Sequence, residues 1–227
     1  MTPERYARIR QVLSWRQPDL TVITDGVHKT QNLSAVIRTC DAAGVDEIHC
    51  VRPDTGFRTH RGTMGSHKWV NTRLYDDIGT PVTQLKERGF HVVAAHLSDK
   101  AVDFKSFDYT QPTAVLLGGE LEGVSDEADR LVDSHVIIPI MGMVESFNVS
   151  VACALILMEA QRQRWEKGLY DENQPRLPKE RFDYLMFRGC QPVVARYCDM
   201  RGLEYPPLDD EGEIVDGVGW SRRVGAR

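Results

Sequence analysis

An asparagine and an arginine stand six residues apart near the start of the chain, at Asn32 and Arg38. Arg38 lies between Ile37 and Cys40 in a segment of helical periodicity, where a permanently charged guanidinium must reach solvent or be paired. A guanidinium can bind a phosphate through two parallel hydrogen bonds and can stabilise developing negative charge. The pair alone is also compatible with a capping asparagine and an arginine in a structural ion pair.

Two glycines and a carboxylate, Gly118, Gly119 and Glu120, follow the apolar run Thr113–Leu117. Glycines after a buried strand let a ligand approach the backbone closely, and a carboxylate there can bind hydroxyl or amine groups. The segment has neither the GxGxxG spacing nor a following Walker lysine, so support for a dinucleotide site or a P-loop is weak. The structural alternative is a tight turn between a strand and a helix.

The third segment contains an unusually apolar loop, residues 141–147. Its apolar residues are Met141, Met143, Val144 and Phe147. An exposed apolar loop is costly unless it covers a ligand or a partner. Ser146 and Asn148 stand where the next helix begins, a position typical of helix caps, so a cap above a packed core is the alternative interpretation.

Basic side chains, which can contact phosphate groups, cluster in three places in the chain. One is the segment 52–73, another is the N-terminal helix, and the third is the end of the long helix after residue 148. The candidates are Arg8, Arg16, Arg58, Arg61, Lys68, Arg162 and Arg164. For the segment 52–73, an ordinary solvated loop is the alternative.

The pattern of strands and helices predicts how these segments are positioned. Strands are expected at Leu20–Thr24, Glu47–Val51, Phe90–Leu97, Thr113–Leu117 and His135–Ile140, and helices at residues 31–43, 76–88, 125–132 and 148–167. This alternation predicts an α/β fold, a mostly parallel sheet with helices on both faces. Ligand sites in such sheets lie at the carboxyl ends of the strands. Residues 52–73 show no periodicity and are expected to form a long loop.

We expect three regions: a basic N-terminal helix over 1–18, a central domain over 19–167, and a C-terminal helical extension and tail over 168–227. The extension should contain a helix over Lys179–Arg201, interrupted at Pro192. The tail beyond Gly202 is rich in Pro, Gly and Asp and is expected to be poorly ordered.

Composition excludes several classes of protein. The net charge of −5 over 227 residues is no global signature of nucleic-acid binding, so an RNA site must be a local basic patch. Five cysteines without CxxC spacing argue against a disulfide framework and a structural metal, and Cys40 and Cys153 fit a hydrophobic core. The charged start of the chain is unlike a signal peptide, and no apolar run is long enough to span a bilayer. We therefore expect a cytoplasmic protein with no metal and no membrane partner.

The order and spacing of the three segments are more specific than any one segment. They read NxxxxxR from Asn32 to Arg38, GxExxG from Gly118, and PxxGxxxSxNVS from Pro139 to Ser150. This set resembles the three motifs of the SpoU/TrmH-type branch of the SPOUT methyltransferases, over about residues 20–160. Phe147 stands where leucine is usual in the family, a change that preserves an apolar contact. The opening and the tail are similar to the branch that methylates guanosine in the tRNA D-loop.

The resemblance implies a SPOUT fold with a C-terminal deep trefoil knot within about residues 113–160, and a homodimer formed through the apolar loop and the helix near Asn148. It implies S-adenosyl-L-methionine as cofactor. The implied cofactor-binding residues are His96, Leu97, Leu117, Gly118, Gly119, Ile138, Pro139, Ile140, Met141, Phe147 and Asn148. The implied catalytic residues are Arg38, Asn32, Glu120, Ser146 and Asn148.

The implied activity is 2′-O-methylation of tRNA, at guanosine 18 of the D-loop, with tRNA as partner. An RNA substrate makes the seven basic residues named above candidates for RNA binding. A guanidinium hardly deprotonates in proteins, so we expect Arg38 to bind the adjacent phosphate and stabilise alkoxide charge, while Asn32 and Glu120 hold Arg38 and the ribose. The alternatives are methylation of another tRNA nucleotide or of ribosomal RNA, a non-catalytic RNA-binding protein with a degenerate knot, and a doubly wound nucleotide-binding enzyme.

Overall fold

The computed structural model describes residues 1–51, 65–119 and 123–225. Contacts divide the chain into two compact units, Gln17–Tyr170 and a smaller one made of Met1–Arg16 with Asp171–Arg227. The sequence pattern predicts separate regions for the N-terminal helix and the C-terminal extension. The structure places them in one unit, because helix α1 (Pro3–Ser14) packs against helix α6 (Lys179–Cys190).

The larger unit is built on a sheet that contains seven strands in the described part of the chain, and every pairing between them is parallel. The strands are β1 (Leu20–Thr24), β2 (Glu47–Val51), β3 (Asn71–Tyr75), β4 (His91–Ala95), β5 (Val102–Asp103), β6 (Thr113–Leu117) and β7 (Ser134–Ile137). Their order across the sheet is β3-β2-β1-β6-β4-β7-β5. The predicted α/β class with a parallel sheet is confirmed.

Helices cover both faces of the sheet. Successive side chains of a strand point to opposite faces, and those of β6 pack against helices on either side. The helices of this unit are α2 (Thr30–Ala42), α3 (Gly79–Glu87), α4 (Asp126–Leu131) and α5 (Val149–Glu166). One core cluster joins Val115 and Leu117 of β6 to residues of α2 and α5, such as Ile37 and Ile156. The other joins Leu116 to residues of α3 and α4. Cys40 and Cys153 belong to the first cluster, as predicted, and all five cysteines are free and buried.

Several elements differ from the sequence expectations. Strand β3 and a short 3-10 helix, Ser66–Lys68, lie where a continuous loop was expected. The strand was missed because it lies at the sheet edge with exposed residues on both faces and therefore lacks apolar alternation. Strand β7 ends at Ile137 rather than at Ile140. The edge strand β5, only two residues long, left no pattern to recognise.

In the smaller unit, α6 ends where Pro192 begins helix α7 (Pro192–Arg201), so the expected interruption is confirmed. Gly202 then adopts a φ of +62°, a backbone conformation that glycine allows at a helix end. The expectation of a poorly ordered tail was wrong in part, because the chain forms a further helix, α8 (Gly217–Val224). The Asp216 carboxylate accepts a hydrogen bond from the Gly219 N–H and so caps that helix. Among the helices that the structure describes, none is long and apolar enough to cross a membrane.

Candidate active site

The predicted functional segments follow the carboxyl ends of four strands that are neighbours in the sheet, β1, β6, β4 and β7. Strand β1 leads into α2, which carries Asn32 and Arg38. Gly118 and Gly119 follow β6, His96 and Leu97 follow β4, and residues 138–148 follow β7. Because carboxyl ends of adjacent parallel strands meet at one edge, the fold gathers segments that are up to 116 positions apart in the chain, as the Asn32–Asn148 contact illustrates.

The glycine pair after β6 is needed for close approach of the chain to itself. A Cβ atom on Gly118 would lie 2.1 Å from the carbonyl carbon and oxygen of Gly123, and one on Gly119 would lie 2.6 Å from the Gly26 oxygen. Gly119 and Gly123 exchange two backbone hydrogen bonds, at 2.9 and 3.1 Å. The glycines therefore allow the end of β6, the Gly123 backbone and the turn after β1 to approach one another, which agrees with the tight turn that the sequence left open as the alternative. Binding of a ligand to this backbone stays a prediction.

Asn148 connects the first and third motifs. Its Nδ2 donates to Asn32 Oδ1 at 3.2 Å, while its Oδ1 accepts from the Ser150 N–H at 2.9 Å and from the Ser150 hydroxyl at 2.6 Å. The second pair of contacts makes Asn148 the N-cap of α5. Ser146 is exposed and lies outside the helix. Of the two predicted cap residues, Asn148 caps the helix, and it also holds Asn32.

Arg38 is exposed on α2, on the same solvent-facing stripe as Gln31 and Ala42. With the described residues it forms no ion pair or hydrogen bond, so the structural ion-pair alternative finds no support in this part of the chain. An exposed guanidinium close in sequence to the Asn32–Asn148 contact is available to a phosphate. Glu120 lies outside the described residues.

The cofactor candidates form a largely accessible group at the same edge. Leu117 is buried as the last residue of β6, while Leu97 has 72% of its surface exposed at the end of β4. Ile138 and Ile140 are partly buried, Pro139 and Met141 are exposed, and Phe147 is 39% exposed. These residues suit S-adenosylmethionine. Exposed apolar side chains can cover its adenine ring, and the N–H and C=O groups of the adjacent loops can bind the polar edges of that ring. The described residues contain no His, Cys, Asp or Glu group able to hold a metal ion.

Exposed apolar side chains occur both in the 141–147 loop and along one side of α5. Met141 and Met143 are almost fully exposed, and Val151, Leu155 and Met158 repeat at the i, i+4, i+7 spacing of one helix stripe. We call this set the α5 apolar face. The sequence singled out the loop but not the stripe, because buried and exposed apolar residues are interleaved around the whole of α5.

The RNA-binding candidates fall into different classes. Arg8 and Lys68 are exposed, whereas Arg58 and Arg61 lie outside the described residues. Arg162 is exposed but paired, since its guanidinium bonds Glu159 and Glu166, contacts that raise its pKa.

For Arg16 and Arg164 the RNA-binding prediction was wrong, because both side chains are completely buried. Arg164 bonds the Asp19 carboxylate at 2.7 Å, the Gln17 side chain, and the carbonyl oxygens of Asp19, Tyr109 and Gln111. This arginine is a structural tie between α5 and the amino ends of β1 and β6. An arginine in a helix sequence carries no sign of whether its partners are phosphates or carbonyls.

Sequence reasoning missed the turn that follows β1, Asp25 and Gly26. Asp25 is buried, and its carboxylate accepts a hydrogen bond from the Ser125 N–H at 3.1 Å. Gly26 has a φ of +67° and lies against Gly119. The available signal was the Asp-Gly pair directly after a buried strand, a combination typical of tight turns.

Residues 19–158 match the SpoU rRNA methylase family, and residues 162–217 match the family of SpoU rRNA methylase C-terminal regions. The chain belongs to the SpoU methylase family, an assignment that agrees with its parallel sheet and with the three motif segments at one edge.

Within that family, it is 48% identical over 221 residues to the tRNA (guanosine(18)-2'-O)-methyltransferase of Escherichia coli strain K12, covering 97% of this chain and 96% of that protein. It is 53% identical to an enzyme of the same name from Thermus thermophilus, over 82% and 95% of the two chains. Among solved structures, the A. aeolicus TrmH/SpoU tRNA modifying enzyme superposes with a TM-score of 0.77 at 41% identity, over 84% and 97% of the chains.

Proposed function

We propose that this protein is an S-adenosylmethionine-dependent methyltransferase that modifies the 2′-oxygen of guanosine 18 in tRNA. The observation that carries the proposal is the Asn148–Asn32 hydrogen bond, which joins the first and third motifs at the strand edge occupied by the Gly118–Gly119 turn. The tRNA substrate is supported by the named function of relatives that match nearly the full chain. A SpoU methyltransferase with the same fold, AviRb of Streptomyces viridochromogenes, has been solved in complex with AdoMet (TM-score 0.60, 28% identity, 66% and 59% of the chains), which supports the cofactor.

When bound, S-adenosylmethionine supplies a methyl group on a positively charged sulfur. Transfer forms a bond from the ribose 2′-oxygen to that methyl carbon, breaks the carbon–sulfur bond and releases the 2′-hydroxyl proton. Arg38, exposed on α2, binds the adjacent phosphate and stabilises negative charge as it develops on the 2′-oxygen. The guanidinium stays protonated throughout, so the proton leaves to the phosphate or to water.

Asn32 and Asn148 orient the substrate segment. Because Asn148 uses its amide oxygen to bond Ser150 and one amide hydrogen to bond Asn32, both side chains are fixed before substrate binds. Fixed polar groups lose little entropy on binding the ribose. In this scheme Glu120 helps to hold Arg38 and the ribose, as its motif position suggests. Ser146, in the third motif, contacts the bound ligands.

We also propose that two copies associate through the α5 apolar face. Val151, Leu155, Met158 and the loop methionines are all exposed apolar side chains, and such a number of them on neighbouring segments of the chain favours an interface. Stacking this face against its copy would remove that surface from water. The trefoil knot expected within residues 113–160 stays a prediction, because residues 120–122 lie outside the description. A tRNA substrate would place the enzyme in the cytoplasm.

The decisive experiment supplies the protein with radiolabelled S-adenosylmethionine and an unmodified tRNA transcript, followed by mapping of the labelled nucleotide. The expected product carries one methyl group on the 2′-oxygen of guanosine 18. A transcript with 2′-deoxyguanosine at that position is the matched control and should accept no label. Label at another tRNA nucleotide, or in a ribosomal RNA fragment only, would contradict the substrate assignment, while no transfer to any RNA would contradict the enzymatic activity.

A further inference from the structure

The turn after β1 is tied to the end of β6 by main-chain and side-chain contacts. The Asp25 N–H donates to the Leu117 carbonyl oxygen at 2.9 Å, continuing the β1–β6 pairing by one residue. The Asp25 side chain then accepts the Ser125 N–H at 3.1 Å. Only 9% of Asp25 is exposed, so its carboxylate has little access to water. Water therefore cannot readily replace the hydrogen bond with Ser125 if that bond is broken.

Gly26 completes the contact. Its carbonyl oxygen lies so close to Gly119 that a Cβ atom there would approach it to 2.6 Å. Gly119 pairs with Gly123, and Ser125 follows two residues later. The turn after β1 thus contacts the chain on both sides of the paired glycines. Gly26 lies against Gly119 at the end of β6, and Asp25 bonds Ser125 just before α4.

The same turn leads into α2. Val27, just after Gly26, is buried in the core cluster that also contains Leu33 of α2, so the connection has little freedom. Asn32 lies at the start of α2 and is bound by Asn148. A displacement of Asp25 would therefore move the Gly118–Gly119 backbone, while Asn32 stays held by the packing of Val27 against the α2 core and by its hydrogen bond with Asn148.

We propose that Asp25 is a positioning residue that fixes the Gly118–Gly119 backbone for binding S-adenosylmethionine. Asp25 thereby sets the position of that backbone relative to Asn32. This inference rests on the proposed function, since it assigns the glycine backbone to that cofactor. Asp25 acts through Ser125 and the turn, and its carboxylate touches neither the methyl group nor the ribose.

Calorimetric titration with S-adenosylmethionine, and filter binding of unmodified tRNA, test the proposal separately from turnover. Asp25→Ala removes the acceptor, whereas Asp25→Asn keeps an oxygen that can accept the Ser125 N–H. The matched control is Asp133→Ala, because Asp133 also accepts a backbone N–H, that of Val92 at 2.8 Å, but at the amino end of β4.

We expect Asp25→Ala to weaken S-adenosylmethionine binding at least tenfold and tRNA binding less than twofold, with Asp25→Asn in between and Asp133→Ala unchanged for both ligands. The KM for S-adenosylmethionine should rise in parallel, while the KM for tRNA stays constant. Cofactor affinity within twofold of wild type in Asp25→Ala, or an equal loss in Asp133→Ala, would overturn the proposal.

If circular dichroism shows that Asp25→Ala does not fold, Asp25→Glu decides, because it keeps the charge and moves the carboxylate by one methylene. It should weaken cofactor binding about fivefold or more, and unchanged binding would overturn the assignment. Wild-type protein that binds S-adenosylmethionine without methylating guanosine 18 contradicts the proposed substrate alone and leaves the Asp25 comparison valid. Wild-type protein that binds no S-adenosylmethionine overturns both.

Discussion

Replacing Arg164 by methionine should destabilise the larger unit severely, because the side chain is completely buried and its guanidinium donates hydrogen bonds to five surrounding acceptors. The change removes five contacts: one to the Asp19 carboxylate, one to the Gln17 amide oxygen and three to the carbonyl oxygens of Asp19, Tyr109 and Gln111. Methionine fills most of the volume but donates to none of these acceptors. Breaking a buried ion pair by removing one partner typically costs about 3–5 kcal/mol.

Urea unfolding followed by circular dichroism measures this loss. With a urea m value of about 3 kcal/mol per M, a loss of about 3–5 kcal/mol should lower the midpoint by roughly 1 to 1.7 M. Arg162→Met is a matched control two residues away on the same helix. Its guanidinium is exposed and bonds Glu159 and Glu166 at the surface, so its removal should leave the midpoint almost unchanged.

The same pair of variants separates a structural arginine from an RNA-binding one. Folded Arg164→Met protein at low temperature should bind tRNA with the wild-type salt dependence, because a buried guanidinium contacts no phosphate. A stable Arg164→Met protein with a salt dependence reduced by about one unit would refute the structural assignment and support an RNA-binding role instead.

Four further outcomes are expected. Arg38→Ala should lower turnover roughly a hundredfold or more with cofactor binding retained. Arg38→Lys should keep only a small part of the wild-type turnover rate. Near-wild-type single-turnover rates in Arg38→Ala would rule out a catalytic role for Arg38. Gly118→Ala should abolish S-adenosylmethionine binding measured by calorimetry, because its Cβ would overlap the Gly123 backbone at 2.1 Å. Leu155→Asp should convert the expected dimer to a monomer in sedimentation at micromolar concentration, whereas a monomeric wild type would contradict the proposed interface. Burial alone would raise the pKa of Glu47, but the His49 ring, whose Nε2 lies 3.3 Å from the carboxylate, and a hydrogen bond from Arg73 hold this pKa well below its usual range. This carboxylate therefore stabilises the fold above about pH 4.3 and loses that effect as the pH falls. Glu47→Gln should lower the urea midpoint at pH 7 and reduce the dependence of the midpoint on acid pH.

The sequence by itself determined the class of fold and indicated which segments would meet at one edge of the sheet. Apolar runs alternating with helical periodicity require a parallel sheet covered on both faces, because only that arrangement buries strands such as Thr113–Leu117 completely. The motif residues could be recognised because their order and spacing resemble those of a known family, whereas the local chemistry of each segment, such as Asn148 at a helix start, left a structural alternative open. Their common location followed from a general property of parallel sheets, that consecutive carboxyl ends share an edge.

Only the tertiary structure decided what each charged or small residue contacts. Arg164 and Arg38 are both arginines within helices, yet one is buried among carbonyl oxygens and the other is exposed. The glycines after β6 are required by the approach of Gly26 and Gly123, and Asp25 meets Ser125 across a separation of 100 residues. Such contacts depend on which strands become neighbours, here β1 beside β6, and strand order is set by the packing of the whole sheet rather than by any local pattern.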